Sequence, residues 1–187
     1  FVDRLLSIYV SGAAEAVGSG FAAQRVYSEI ITDSTTLCPN FYLAAHMQSA
    51  FRSPVWVYAA SQHPARPFCP LRQFTAFGYC PEYAFHASDE FLWFLPRFEN
   101  FSWETSDRRF SQMMYERIGA LVSNGSVPAW APFTTKTHGR VPPRDALPAQ
   151  YSAIDLAAPD RNVPLLKSAA CEFWLRHRFY ETRGLIN

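Results

Sequence analysis

The sequence predicts a mixed α/β fold whose sheet is incomplete within the chain, and three observations predict it. Val55-Trp56-Val57-Tyr58-Ala59 is apolar on both faces, as in an interior strand of a sheet covered on both sides. Apolar residues recur at helical spacing over residues 21–31, 36–51, 105–122 and 163–180. Only one further stretch, Tyr151-Ser152-Ala153-Ile154-Asp155-Leu156, alternates like a short strand. A strong strand and a short one leave the backbone groups along Val55 to Ala60 short of partners. Either the chain is mostly helical with an odd strand, or it shares a sheet with another segment, and the second reading is favoured.

Length and composition bound the rest. At 187 residues, with 49% hydrophobic and only 18% charged side chains, the chain suits one domain, or a large piece of one, with a sizeable core. Seventeen basic side chains against 16 acidic ones give a formal net charge of +1. With no basic run, there is no footprint for nucleic acid or an anionic membrane. No apolar run reaches membrane-spanning length and no signal-peptide pattern opens the chain. The first residue is Phe1 rather than Met, which reads as a processed product or a part of something longer.

Taken in order, residues 3–10 are apolar enough to start a helix or pack as a short segment, and residues 11–20 are a small, Gly/Ala-rich connection. Phe21, Ala22, Val26, Ile30 and Ile31 mark the first of the periodic helices. Asp33-Ser34-Thr35-Thr36 offers an N-cap for a second helix over residues 36–51, with Cys38 in its first turn and Pro39 tolerated beside it. The strand over residues 54–61 follows, and then a loop broken by Pro64, Pro67, Pro70 and Pro81. Residues 89–95 form a short helix that Pro96 closes. The helix over 105–122 turns Phe110, Met113, Met114, Ile118 and Leu121 inward, with Ser106 or Asp107 as its cap. Residues 123–150 read as Pro/Gly-rich coil, and a closing helix over 163–180 turns Leu166, Ala170, Phe173, Trp174 and Phe179 inward.

Chemistry concentrates at His86-Ala87-Ser88-Asp89, a lone histidine on a small-residue turn between the strand and an apolar helix. Imidazole near its ordinary pKa can take a proton from a hydroxyl and return it to a leaving group. Asp89 is equally well explained as a carboxylate at a helix N-terminus. Phe85 and Trp93 are candidate pocket walls within a generally aromatic core. The other histidines, His46, His63, His138 and His177, read as surface or capping residues. Cys69 and Cys80, each beside a proline, fit a local disulfide bracing the loop. A zinc site with His86 as third ligand is the alternative, although the spacing matches no recognised ligand pattern. The four cysteines and the sequons at Asn100 and Asn124 lean towards an oxidising, secreted or lumenal location.

Five features in this order resemble the C-terminal third of the type-B carboxylesterases, the cholinesterase and fungal-lipase group of α/β-hydrolases. They are Asp33 to Cys38-Pro39, the strand Val55 to Ala59, His86-Ala87-Ser88-Asp89, the helix with Trp130-Ala131-Pro132-Phe133 after it, and Ala170-Cys171-Glu172-Phe173-Trp174. The resemblance covers about residues 21–179. It implies that His86 is the catalytic base, that Asp89 supports the site from behind, and that Cys38 pairs with Cys171. It also implies a domain, of which residues 1–187 are one part, that needs an N-terminal segment to complete it. The chain holds no Gly-x-Ser-x-Gly nucleophile elbow and no oxyanion glycine run. The expectation is therefore a secreted serine esterase whose nucleophile and acid lie on another segment, with a small ester as substrate and no cofactor or metal. The chain alone would not turn over. One alternative is a carboxylesterase-like module that has lost its chemistry and serves in assembly; a weaker one is an independent helical domain.

Overall fold

The structure, a computed structural model, describes residues 1–10, 22–66, 84, 87–93, 102–133 and 147–178. It is a mixed α/β arrangement of helices and a small three-stranded sheet. The helices are α1 (Val2–Tyr9), α2 (Ala22–Thr32), α3 (Cys38–Ala50), α4 (Ser88–Trp93), α5 (Thr105–Asn124) and α6 (Ser168–Arg176). The strands are β1 (Tyr58–Ala60), β2 (Ser152–Leu156) and β3 (Arg161–Pro164), in the order β1-β2-β3. The chain divides into two compact units, passing from one to the other after Val57, Ala131, Ala153 and Val163.

The first unit, residues 1–57, 132–153 and 164–187, is built on helices. The N-cap expected at Asp33 to Thr36 does not form. The chain instead passes from α2 through a single π-helical turn, Asp33–Leu37, straight into α3. The hydroxyls that were expected to cap forwards bond backwards: Thr35 Oγ1 and Ser34 Oγ donate to the Ile31 carbonyl at 2.7 and 3.2 Å. Such back-bonding competes with capping and suits a continuing helix. Pro39, without an N–H, removes one rung of the ordinary ladder, and just before it Cys38 N–H reaches back five residues to the Asp33 carbonyl. Beside the turn, Cys38 and Cys171 form a disulfide with a Cα–Cα distance of 5.0 Å, tying α3 to α6. Around it Phe41, Ala44, Ala45, Phe133, Tyr151, Phe173 and Trp174 are buried in one core. The Phe41 ring centroid lies 5.6 Å from Phe133 and 5.5 Å from Tyr151.

The second unit, residues 58–131 and 154–163, holds β1, α4, α5, β2 from Ile154 on and β3 up to Val163. β1 pairs in parallel with β2, Tyr58 opposite Ile154 and Ala60 opposite Leu156. The expected strand over 54–61 is thus reduced to three residues. Val55 explains the loss, because its N–H donates to Gln48 Oε1 at 3.0 Å and its carbonyl accepts from Phe133 N–H at 2.7 Å. Its backbone is satisfied outside the β1–β2 ladder. Among the described residues no strand lies beyond β1, so the ladder has a partner on one side of it.

Two other boundaries move. α5 is capped by Glu104, not by Ser106 or Asp107, and Asp107 takes the third helical position. There its carboxylate accepts from Glu104 N–H at 2.9 Å while Glu104 accepts from the Asp107 backbone, a reciprocal capping box. The closing helix starts only at Ser168, because Leu165 and Lys167 take left-handed φ values of 52° and 55° and Pro164 precedes them. The polar residues before it form β3. Leu92, Phe110, Met114, Val127, Trp130, Ile154 and Leu156 make the buried interior of this unit.

Candidate functional site

Ala87, Ser88 and Asp89, which follow His86 in sequence, belong to the second unit. His86 and Phe85 themselves lie outside the described residues, as do Cys69, Cys80 and Asn100, so the expected base, one pocket wall, the local disulfide or zinc site and the first sequon fall there. The residues that follow His86 in sequence are described. Ala87 takes φ 63°, a left-handed conformation that brings its Cβ against the backbone and costs an L-residue about 1–2 kcal/mol. Strain of this kind persists only where neighbouring contacts hold it, and it gathers at functional turns.

Three contacts hold this one. The Ala87 carbonyl accepts from Phe91 N–H at 3.1 Å, which opens α4. Ser88 is fully buried, and its hydroxyl donates to the Gln62 carbonyl in a long 3.4 Å bond. Asp89 accepts from the Tyr58 hydroxyl at 3.4 Å. Tyr58 is the first residue of β1 and Gln62 lies two residues past its last, so residues 88 and 89 bond to positions at both ends of that strand. Burial, with the Asp89 charge beside it, raises the Tyr58 phenol above its ordinary pKa, which keeps it a proton donor to Asp89.

The C-terminal ends of β1 and β2 carry a polar set. Ser61 and Gln62 N–H both donate to the Leu156 carbonyl at 3.2 Å, extending the parallel pairing beyond the strands. Ser61 Oγ donates to Asp155 Oδ1, and Arg161 closes on Asp155 Oδ2. Gln62 Oε1 accepts from Ala158 N–H at 3.2 Å. In open α/β sheets ligands bind outside the carboxyl ends of parallel strands, and this polar set stands at that end. Trp93, the other candidate pocket wall, is half-buried at the end of α4, with Tyr115 of α5 edge-on at 6.3 Å. Its carbonyl accepts from Ser111 Oγ at 3.1 Å.

Sequence reasoning missed two charged networks. In the first unit Asp33, 2% exposed, accepts from the Tyr9 hydroxyl at 3.0 Å and faces Lys167 at 3.4 Å. Trp174 Nε1–H donates to the same Tyr9 oxygen at 2.8 Å, and Lys167 also bonds Glu29 at 3.0 Å. Burial pushes the Asp33 carboxyl and the Tyr9 phenol upward, with Lys167 pulling Asp33 the other way. The available signal was a charged residue shortly before each paired cysteine, Asp33 before Cys38 and Lys167 before Cys171. In the second unit Arg117 grips Asp160 through two hydrogen bonds of 2.7 and 2.9 Å, and Trp130 Nε1–H donates to the same carboxylate at 2.5 Å. The Arg117 hydrogen bonds hold Asp160 below the usual carboxylate range. No local pattern links residues so far apart in sequence.

The described residues contain no cluster suited to a metal ion, and no helix among them is long and apolar enough to cross a membrane. No protein-family model, curated protein or solved structure matches the chain.

Proposed function

We propose that the chain is the C-terminal part of a secreted α/β-hydrolase of the type-B carboxylesterase kind, and that His86 is its catalytic base. The observation that carries the reading is the strained turn at Ala87, the residue after His86, tethered to both ends of a strand in a parallel pair. A base must be held where a nucleophile from a neighbouring strand can reach it, and the contacts of residues 87–89, which follow it in sequence, support that reading. The Cys38–Cys171 disulfide, a pairing that the resemblance implies, adds support.

In this reading the nucleophilic serine, the oxyanion donors and the triad's acid come from a segment outside these residues. His86 takes the serine proton as the hydroxyl attacks the ester carbonyl, then delivers it to the leaving alcohol, leaving an acyl-serine. Water reverses the sequence to release the acid. Asp89 positions the turn through Tyr58 and does not touch substrate. Without nucleophile and oxyanion donors the 187 residues have almost nothing to accelerate.

The test is ester turnover by the complete protein and its His86→Ala variant, with circular dichroism as the check on folding. The expected loss is about 10³-fold or more in kcat. Turnover near the wild-type level in a folded variant would remove His86 from the mechanism. A complete protein with no turnover would favour the second reading, a hydrolase-like module that has kept the architecture and serves in assembly.

A further inference from the structure

We infer that Asn124 carries an N-linked glycan. The inference uses the secreted location proposed above and is independent of any catalytic role. Asn124-Gly125-Ser126 is an acceptor sequon whose middle residue is not proline. Asn124 is the last residue of α5, a 20-residue helix, and is exposed. Gly125 follows in the left-handed conformation, φ 67°, and its N–H donates to the Leu121 carbonyl at 2.8 Å, ending the helix. A Cβ placed on Gly125 would meet no atom of the described residues within 4 Å, so among them the corner is open. Val127, 2% exposed, anchors the chain directly afterwards.

This arrangement satisfies two separate requirements. Transfer takes place on the unfolded chain, where the Ser126 hydroxyl must fold back towards the Asn124 amide, and glycine between them imposes no Cβ on that loop. Once the chain folds, a bulky hydrated glycan needs a position where it displaces no core contact, and an exposed helix terminus provides one. The donor is an oligosaccharide linked through a diphosphate to a lipid. The Asn124 side-chain nitrogen attacks the anomeric carbon, the new C–N bond forms as the bond to the diphosphate oxygen breaks, the lipid diphosphate leaves, and the amide gives up one proton. No oxidation or reduction is involved.

The whole protein, expressed in a eukaryotic host, is digested and treated with a glycan-releasing amidase, which leaves aspartate wherever a glycosylated asparagine stood. Recovery of the Asn124 peptide mainly in the aspartate form, and only after the amidase, is the expected result. Because Asn-Gly pairs also deamidate spontaneously, Ser126→Ala is the control, since it removes the sequon and keeps the pair. Conversion that reaches the same extent in Ser126→Ala is deamidation and overturns the inference. An unconverted Asn124 peptide from chains with the Cys38–Cys171 bond formed overturns the inference alone. Unconverted peptide with both cysteines reduced overturns the secreted location as well.

Discussion

Single residues set the sharpest energetic terms, and Asp160 is the clearest. Its carboxylate, 7% exposed in the pair with Arg117, accepts both guanidinium bonds and the Trp130 indole. Asp160→Asn should destabilise the protein by about 2 kcal/mol at neutral pH, because Arg117 loses its charged acceptor in a half-buried place. The pH dependence follows from the direction of the shift. Asp160 is held below the usual range when folded, and an unfolded aspartate titrates near about 3.9. The stabilisation is therefore present above about pH 4 and fades as pH falls through the lower folded value. Denaturant midpoints of wild type and variant should converge in acid, and a gap that widens there would contradict the assignment. Ala87 offers a second check. Ala87→Gly relieves the left-handed strain and should leave stability unchanged or raise it by up to about 1 kcal/mol, while Ala87→Val should lower it by more than about 1 kcal/mol. Equal stabilities for the two variants would mean that the turn is not strained.

Among the elements, α3 and α6 depend on their covalent tie. The disulfide closes a separation of 133 residues, so a Cys38→Ala/Cys171→Ala double variant should lose about 3–5 kcal/mol on unfolding. A loss under about 1 kcal/mol in a denaturant titration would show that the two helices hold together by packing alone. Elements were legible in the sequence where periodicity was long. Phe110, Met113 and Met114 announced α5, and Ala170, Phe173 and Trp174 announced α6, because each set repeats over several turns. Boundaries were legible only where local chemistry had one outcome. Ser34 and Thr35 can cap a helix or bond back into the preceding one, and nothing local chooses between these. β3 was hidden because Arg161, Asn162 and Pro164 look like a loop until β2 lies beside them. The strand over 54–61 is shorter than its apolar run suggests, because the Val55 backbone bonds to Gln48 and Phe133 outside the ladder.

For the whole molecule, the central claim is that these residues lend a base to chemistry completed by another segment. Part of that site could be read from the sequence, since His86 to Asp89 stand out by residue type. The tethers of the turn to Tyr58 and Gln62 could not, because they join positions brought together only by the fold. The same holds for the polar set at Ser61, Asp155 and Arg161, whose members are unremarkable one by one. The most direct measurement is the reaction of the complete protein with an alkyl fluorophosphonate, followed by mapping of the modified residue. One phosphonylated serine outside these 187 residues, in a Gly-x-Ser-x-Gly setting, is expected, with its labelling lost in His86→Ala. Labelling of a residue within the 187, or labelling undiminished in His86→Ala, would contradict it.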